Sequence, residues 1–431
     1  TLLTGRYHWR TRLQRGIVGL WERPLIDADR LTLASMLKKK GYQTAMVGKW
    51  HLGWDWPIGD GQRKLLGGAK NAKATDAHRA AWKEIFSKPI EGGPTARGFD
   101  SYFGTDVPNW PPYCFIENDR TVGIPSEFLP ARLFQNHMAS QQGPALADWS
   151  LHAILPAHGD RAAAFIKGAA PKSEPYFLYM PLTSPHTPLA VNKEWQGKSG
   201  LGAYADLVLE TDAIIGQVLA AIEASGEAKN TLVIMTSDNG CAPYIGVDSL
   251  EKKGHYPSGP LRGYKSDVWE GGHRVPFIVR WPGVVKEGAT CDQLVHQADL
   301  MATLASIVDY KLPDSAGEDS VSILPLLKGE NRPVRETAIS QSIQGLLSIR
   351  KGSWKLIVGK GSGGWTKGGD NQAGQLYNLA EDLGETTNLF TKESSIASEL
   401  TDLFAQQVAD GRSTPGAKQK NDVDVKWDRM K

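Results

Sequence analysis

The chain of 431 residues is 41% hydrophobic and 22% charged, ordinary globular usage that excludes a disordered chain. Lys+Arg 49 against Asp+Glu 47 leaves +2, and no dense basic run appears beyond Lys38-Lys39-Lys40, so a nucleic-acid footprint is not indicated. No apolar stretch approaches the ~20 residues needed to span a bilayer, and Cys114, Cys241 and Cys291 make neither a zinc spacing nor a disulfide framework.

In chain order, Asp27 or Asp29 can cap a helix whose apolar positions Leu33, Met36 and Leu37 share one face, with Gly41 after its basic last turn. "YQTAMVG" then reads as a buried strand, and "PYFLYM" at 175 to 180 as another. Leu207, Ile214, Val218 and Ile222 have the spacing of an amphipathic helix over 205 to 224, and "TLVIMT" at 231 to 236 follows as a third strand. Strands alternating with helices predict an α/β fold, a mostly parallel central sheet with helices on both faces. From about residue 340 the texture changes. "LLSIRKGSWKLIVG" predicts a hairpin turning at Lys351-Gly352-Ser353, "QLYNL" a short strand, and Ile396, Leu400, Leu403 and Phe404 a helix. These define a small C-terminal α+β subdomain with an antiparallel sheet at 336–431 after a larger domain at 1–335, with "TKGGDNQAG" a flexible loop inside it.

Each of the three strands runs directly into polar residues: "GKWHLG" with Lys49 and His51, "PLTSPHTP" with Ser184 and His186, and "SDNG" with Asp238 and Asn239. In an open parallel sheet the carboxyl ends of the strands share an edge where ligands bind, so these clusters are expected to converge. A fourth, "LRGYKSDVWEGGHRVPFIV", places Lys265 and Arg274 ahead of the strand "PFIVRW". Singly, each has an ordinary reading: "SDNG" as a turn, Lys49 as a solvated cation, His51 and His186 as packed or surface histidines. Glu270, Arg274 and Ser184 are assigned to support, and "PNWPPYCFIEND" is weighed as a specificity loop through Trp110, Tyr113 and Glu117 against a plain buried loop.

"GYQTAMVGKWHLG" resembles the second signature of the sulfatases of the alkaline phosphatase superfamily. "ARGFDSYFG", "PYFLYMPLTSPHTPL", "TLVIMTSDNG", "YKSDVWEGGHRVPFIVRWPG", "QADLMATLASIV" and "QLYNLAEDLGETTNL" fall in that family's order across nearly the whole chain. The resemblance implies hydrolysis of a sulfate monoester of a carbohydrate or an aryl alcohol. Lys49 and Lys265 would face the sulfate, His186 the leaving oxygen, and His51 would serve as base for a formylglycine hydrate. Asp238 and Asn239 would be ligands of Ca²⁺ or Mg²⁺. "TLLTG" at the start is similar to the tail of the first sulfatase signature, Cys/Ser-x-Pro-x-Arg-x-x-Leu-Leu-Thr-Gly. By that likeness the residue converted to formylglycine by a maturation enzyme, its Arg and a strand bearing two metal-binding aspartates precede Thr1, and residues 1 to 431 alone would be inactive. The family also implies a periplasmic, secreted or lysosomal setting. Two alternatives stand beside it: a phosphatase, phosphodiesterase or phosphonate hydrolase of the superfamily, and an inactive relative that binds sulfated glycans.

Overall fold

"YQTAMVG" folds as β1 (Gln43–Lys49), and its five central residues are all buried, the pattern of a strand covered on both faces. The structure, a computed structural model, describes residues 1–66, 73–130, 140–369 and 371–430; Asp370 of the loop "TKGGDNQAG" lies outside them. It divides into two units, one of Val18–Arg30 and Ala34–Ala228, the other of Thr1–Ile17, Leu31–Leu33 and Lys229–Lys431.

In the first unit, helix α1 (Leu33–Lys39), all but its first residue within that unit, leads into β1. It begins later than Asp27 or Asp29 would cap it, because Arg30 N donates to Asp27 O at 3.2 Å in a separate turn. Its end is as expected: Gly41 has φ 83°, and Tyr42 N closes on Leu37 O at 3.1 Å. Helix α2 (Asp76–Phe86) and strands β2 (Ser101–Thr105), β3 (Ile116–Glu117) and β4 (Arg120–Thr121) follow. Next come β5 (Glu127–Leu129), β6 (Gly143–Ala145), helix α3 (Ile154–Ala169), β7 (Tyr176–Tyr179) and helix α4 (Ala203–Ala224). The sheet order is β4-β3-β2-β1-β7. β1 is parallel to β2 and to β7, while β3 and β4 add antiparallel ribbons at one edge, so the α/β fold is present with a mixed sheet.

The spacing over 205 to 224 is realised in α4, which buries Leu207, Ile214 and Ile222. Leu207 and Ile214 join Leu155 of α3 and Val191 in one core cluster, each such side chain contributing roughly 1.5–3 kcal/mol on burial. A second cluster, Val47, Phe103 and Ala162, ties β1 and β2 to α3. Beside it lies His158, fully buried against Phe103 and Phe115, with neither ring nitrogen hydrogen-bonded among the described residues. Burial pushes its pKa down to about 4, against about 6.5 in an unfolded chain. A depressed folded value means that its stabilising contribution is complete above about pH 6.5 and is lost as pH falls toward 4, at about 1.4 kcal/mol per pH unit. His158→Leu should therefore lose less melting temperature than wild type between pH 7 and 5. Parallel pH profiles of the two proteins would remove His158 from the account.

In the second unit, β8 (Val233–Thr236) pairs antiparallel with β9 (Phe277–Arg280). Its existence was legible in "TLVIMT", but among the described residues it is laddered to β9 and not to the mixed sheet. Apolar runs identify a strand without naming its partner. Helices α5 (Val247–Lys252) and α6 (Glu270–His273) lie between these strands. Helices α7 (Leu300–Ile307) and α8 (Leu324–Leu327) come after them. Strands β10 (Thr337–Gln341), β11 (Leu347–Lys351), β12 (Trp354–Ile357) and β13 (Gln375–Asn378) make an antiparallel sheet in chain order. The β11–β12 turn has Gly352 at φ 57°, as the hairpin reading requires. Helix α9 (Ser394–Ala409) buries Leu400 and Phe404 in one cluster with Ile349, Leu356, Leu376, Tyr7 and Trp9.

Candidate active site

Two glycines, Gly48 within β1 and Gly53 beyond it, shape the exit from the strand. Gly48 has φ 140° and Gly53 has φ 84°, and a Cβ on them would stand 2.1 Å from Pro181 O and 2.3 Å from Arg23 O. No side chain fits either place, which explains the glycines that bracket "GKWHLG". Between them Trp50 is buried and donates from Nε1 to Gly53 O at 2.9 Å, closing the turn. His51 sits at φ 48°, a left-handed conformation few bulky residues adopt, so the turn fixes its direction. Its Nε2–H donates to Val18 O at 2.9 Å, which makes Nδ1 the basic nitrogen of the ring. Lys49 ends β1 half-buried, its backbone N donating to Pro181 O at 2.7 Å.

Because β7 is the parallel neighbour of β1, "PLTSPHTP" leaves the same sheet edge, beginning at the Pro181 that Lys49 contacts. His186 follows on that segment, its Nδ1–H donating to Thr187 O at 2.6 Å, which makes Nε2 the basic nitrogen of the ring. Ser184 accepts from Thr211 Oγ1 at 2.7 Å and serves to hold the segment to α4.

In the other unit, "SDNG" follows β8. Asp238 is exposed and Asn239 half-buried. Asn239 Nδ2 donates to Gly240 O at 2.9 Å, which orients Oδ1 of the amide as its acceptor atom. Gly240 N donates to Gly272 O at 3.0 Å, and a Cβ on Gly240 would lie 1.9 Å from Gly271 O, so the loop presses on the two glycines of α6. Lys265 N donates to Cys241 O at 2.8 Å, which brings the Lys265 loop alongside Asp238 and Asn239. A carboxylate and an amide oxygen on one short loop are hard ligands that fit Ca²⁺ as part of a set of roughly 6 to 8 oxygens. Among the described residues no group of three or more His, Cys, Asp or Glu completes such a set.

The family model described as Sulfatase matches residues 1–310, and that described as N-sulphoglucosamine sulphohydrolase, C-terminal, matches residues 264–412. The chain belongs to the sulfatase family. It is 31% identical to the N-acetylgalactosamine-6-O-sulfatase of Bacteroides thetaiotaomicron, over 94% of this chain and 81% of that protein. To arylsulfatase A of Bos taurus it is 28% identical, over 94% of this chain and 76% of that one. A Bacteroides thetaiotaomicron structure from work on the metabolism of multiple glycosaminoglycans superposes with a TM-score of 0.78 at 29% identity, covering 94% of this chain and 87% of its own.

Beside His51 in this sulfatase-family chain lies Asp106, which stands in none of the motifs quoted above. It is buried just past β2, and its Oδ1 accepts from His51 N at 3.1 Å and Trp54 Nε1 at 3.1 Å. Burial pushes its pKa up to about 6, opposed by those two hydrogen bonds and by the charge of Lys49. Its signal was present: "SYFGTD" is another strand running straight into a polar residue. Asp106→Ala should leave the buried Trp54 Nε1–H and the partly buried His51 N–H without this acceptor and cost about 2–3 kcal/mol, whereas Asp106→Asn, which keeps an oxygen for both, should unfold near wild type. Urea unfolding midpoints for the two variants check this, and equal losses would assign the effect to charge.

Of the aromatic loop, Trp110 lies edge-on to His51 with ring centroids 5.3 Å apart. Tyr113 is instead buried, its hydroxyl donating to Asn109 O and Gln141 O, and Glu117 is at the surface paired with Arg161 at 3.0 Å. Arg274 contacts Glu270 at 3.4 Å, in keeping with a supporting place for both.

Proposed function

We propose that the matured protein hydrolyses sulfate monoesters of a carbohydrate, with Lys49, Lys265, His186 and His51 acting on the ester and Asp238 and Asn239 holding Ca²⁺ or Mg²⁺. The observation that carries the reading is the donor set: two lysines and two histidines held by backbone hydrogen bonds at motif positions of a sulfatase-family chain. The relatives named above act on sulfate esters, one of them on N-acetylgalactosamine 6-sulfate, which makes a 6-sulfated hexosamine the first substrate to try.

As the S–O ester bond breaks, negative charge grows on the bridging oxygen and on the nonbridging oxygens. Preorganised cations near those atoms lower the barrier without reorganising at the moment of reaction. The ammonium groups of Lys49 and Lys265 serve the nonbridging oxygens. His186, when protonated, gives the Nε2 proton to the departing sugar oxygen, its ring oriented by the Nδ1–H bond to Thr187 O. His51, whose basic nitrogen is Nδ1, takes up a proton in the later step that releases inorganic sulfate. A metal bound by Asp238 and Asn239 supplies fixed positive charge. The covalent nucleophile in this reading is a formylglycine made from Cys or Ser by a maturation enzyme, as the resemblance to the sulfatases implies.

The test uses matured enzyme with its formylglycine in place. Turnover of 4-nitrocatechol sulfate should exceed that of 4-nitrophenyl phosphate by about 10²-fold or more, since two lysines in place of further metal-ligating carboxylates suit the less charged ester. The reverse preference would move the chain to phosphate or phosphonate ester hydrolysis. Binding without turnover of either ester would make it a sulfated-glycan-binding relative.

A further inference from the structure

Of the 14 tryptophans, Trp365 alone is exposed, with 43% of its surface open to solvent. The backbone around it is tightly pinned. Trp365 N donates to Ser266 Oγ at 3.0 Å, Thr366 N and Oγ1 both donate to the buried carboxylate of Asp267, and Ser362 Oγ donates to Thr366 O at 2.7 Å. A Cβ on Gly364 would come within 2.3 Å of Asp267 Oδ1 and 2.5 Å of Ser266 O, so only glycine lets the loop approach this closely. The indole is thus held by its backbone and by one neighbouring ring while 43% of the residue remains open to solvent. A pinned backbone with an open indole offers a preorganised aromatic face to a ligand.

Its position says which ligand. Ser266, the residue that anchors Trp365, follows Lys265 directly, and Lys265 is joined through Cys241 O to the loop of Asp238 and Asn239. The same loop continues into Tyr244, whose ring centroid is 5.5 Å from that of Trp365 with planes tilted by 49°. Two tilted aromatic rings thus sit on segments that run directly into Lys265 and into the Asp238–Asn239 loop, all within one unit. The negative π faces attract the weakly positive C–H bonds on the apolar face of a pyranose, and they leave its hydroxyls to water.

We propose that Trp365 and Tyr244 form the aromatic floor on which the sugar ring bearing the sulfate stacks. The inference rests on the assignment of Lys265 to the sulfate, and it adds what recognises the alcohol half of the ester. It is a binding role: neither ring takes part in bond breaking.

Calorimetric titration of the full protein with N-acetylgalactosamine 6-sulfate and with inorganic sulfate separates the two halves. Trp365→Ala should weaken the sulfated sugar by about tenfold, the scale of one lost aromatic face, and should change inorganic sulfate by less than about twofold. Trp365→Phe should recover part of the loss, which a purely structural role would not predict. Equal weakening of both ligands, or no weakening of the sugar, overturns the floor. If wild type fails to bind inorganic sulfate, it is the Lys265 assignment that falls. The floor is then read from unsulfated N-acetylgalactosamine, whose binding must still depend on Trp365.

Discussion

Lys265→Ala and Lys49→Ala, each in the matured enzyme, are expected to lower kcat/KM for a sulfate ester by about 10²-fold or more. That is the scale on which removal of one preorganised charge-stabilising donor acts, because the lost interaction is stronger in the transition state than with bound substrate. Folding stability should change little. Both side chains are only half-buried, and the hydrogen bonds that place them, Lys49 N to Pro181 O and Lys265 N to Cys241 O, come from the backbone and survive truncation to alanine. Arginine should not substitute well, since a planar fork cannot reproduce a compact ammonium charge at the same place. Initial rates with an aryl sulfate, beside thermal melts, check both halves of the expectation. Near-native turnover in either variant would strip that lysine of its role, and a large fall in melting temperature would make the activity loss uninformative.

The same residues show what was and was not legible from sequence. β1, β7 and β8 could be read because each is a run of apolar residues ended by polar ones, and the polar ends carried the site proposal with them. Leu207, Ile214 and Ile222 announced α4 by spacing alone. Pairing was out of reach. Nothing in "TLVIMT" says that its ladder partner is Phe277–Arg280, because a short strand of β-branched and apolar residues suits parallel and antiparallel ladders alike. Asp106 was passed over although it obeys the strand-end rule, because its importance comes from two donors, His51 N and Trp54 Nε1, that only the fold brings to it. The buried charges of the C-terminal sheet were invisible for a related reason. Lysine in a strand reads as a solvent-facing residue until its partners are known.

That last case carries the largest stability effect we expect. Lys355 of β12 is 1% exposed, and its Nζ lies 2.9 Å from Glu270 Oε1 and 2.9 Å from Glu385 Oε1. Glu385 Oε2 in turn accepts from Glu270 N at 2.6 Å, so one cation joins two carboxylates and the start of α6. Burial alone would raise the Glu270 pKa, but the charge of Lys355, followed by His273, outweighs it and holds the group down at about 2. Its stabilising contribution is therefore complete above about pH 4.5 and is lost only as pH falls toward 2. For Glu385 burial prevails, and its pKa lies above the usual range despite Lys355. Lys355→Met leaves the two carboxylates facing each other without their central cation, at a cost of about 3–5 kcal/mol. For a unit of this size that corresponds to a melting temperature lower by roughly 10 °C. The loss should reach the site as well, because α6 carries the Gly271 and Gly272 on which the Asp238–Asn239 loop rests. The sign of the pH dependence distinguishes charge from packing. Without Lys355 both carboxyl groups titrate higher than in wild type, Glu270 still facing Arg274 at 3.4 Å and Arg350 at 3.9 Å, so acidification from pH 7 toward 5 favours the variant and narrows the gap to wild type. Adding Glu270→Gln should recover part of the stability at pH 7. A gap that stays constant with pH, with no recovery in the double variant, would show that Lys355 acts through the volume of its aliphatic stem and not through its charge.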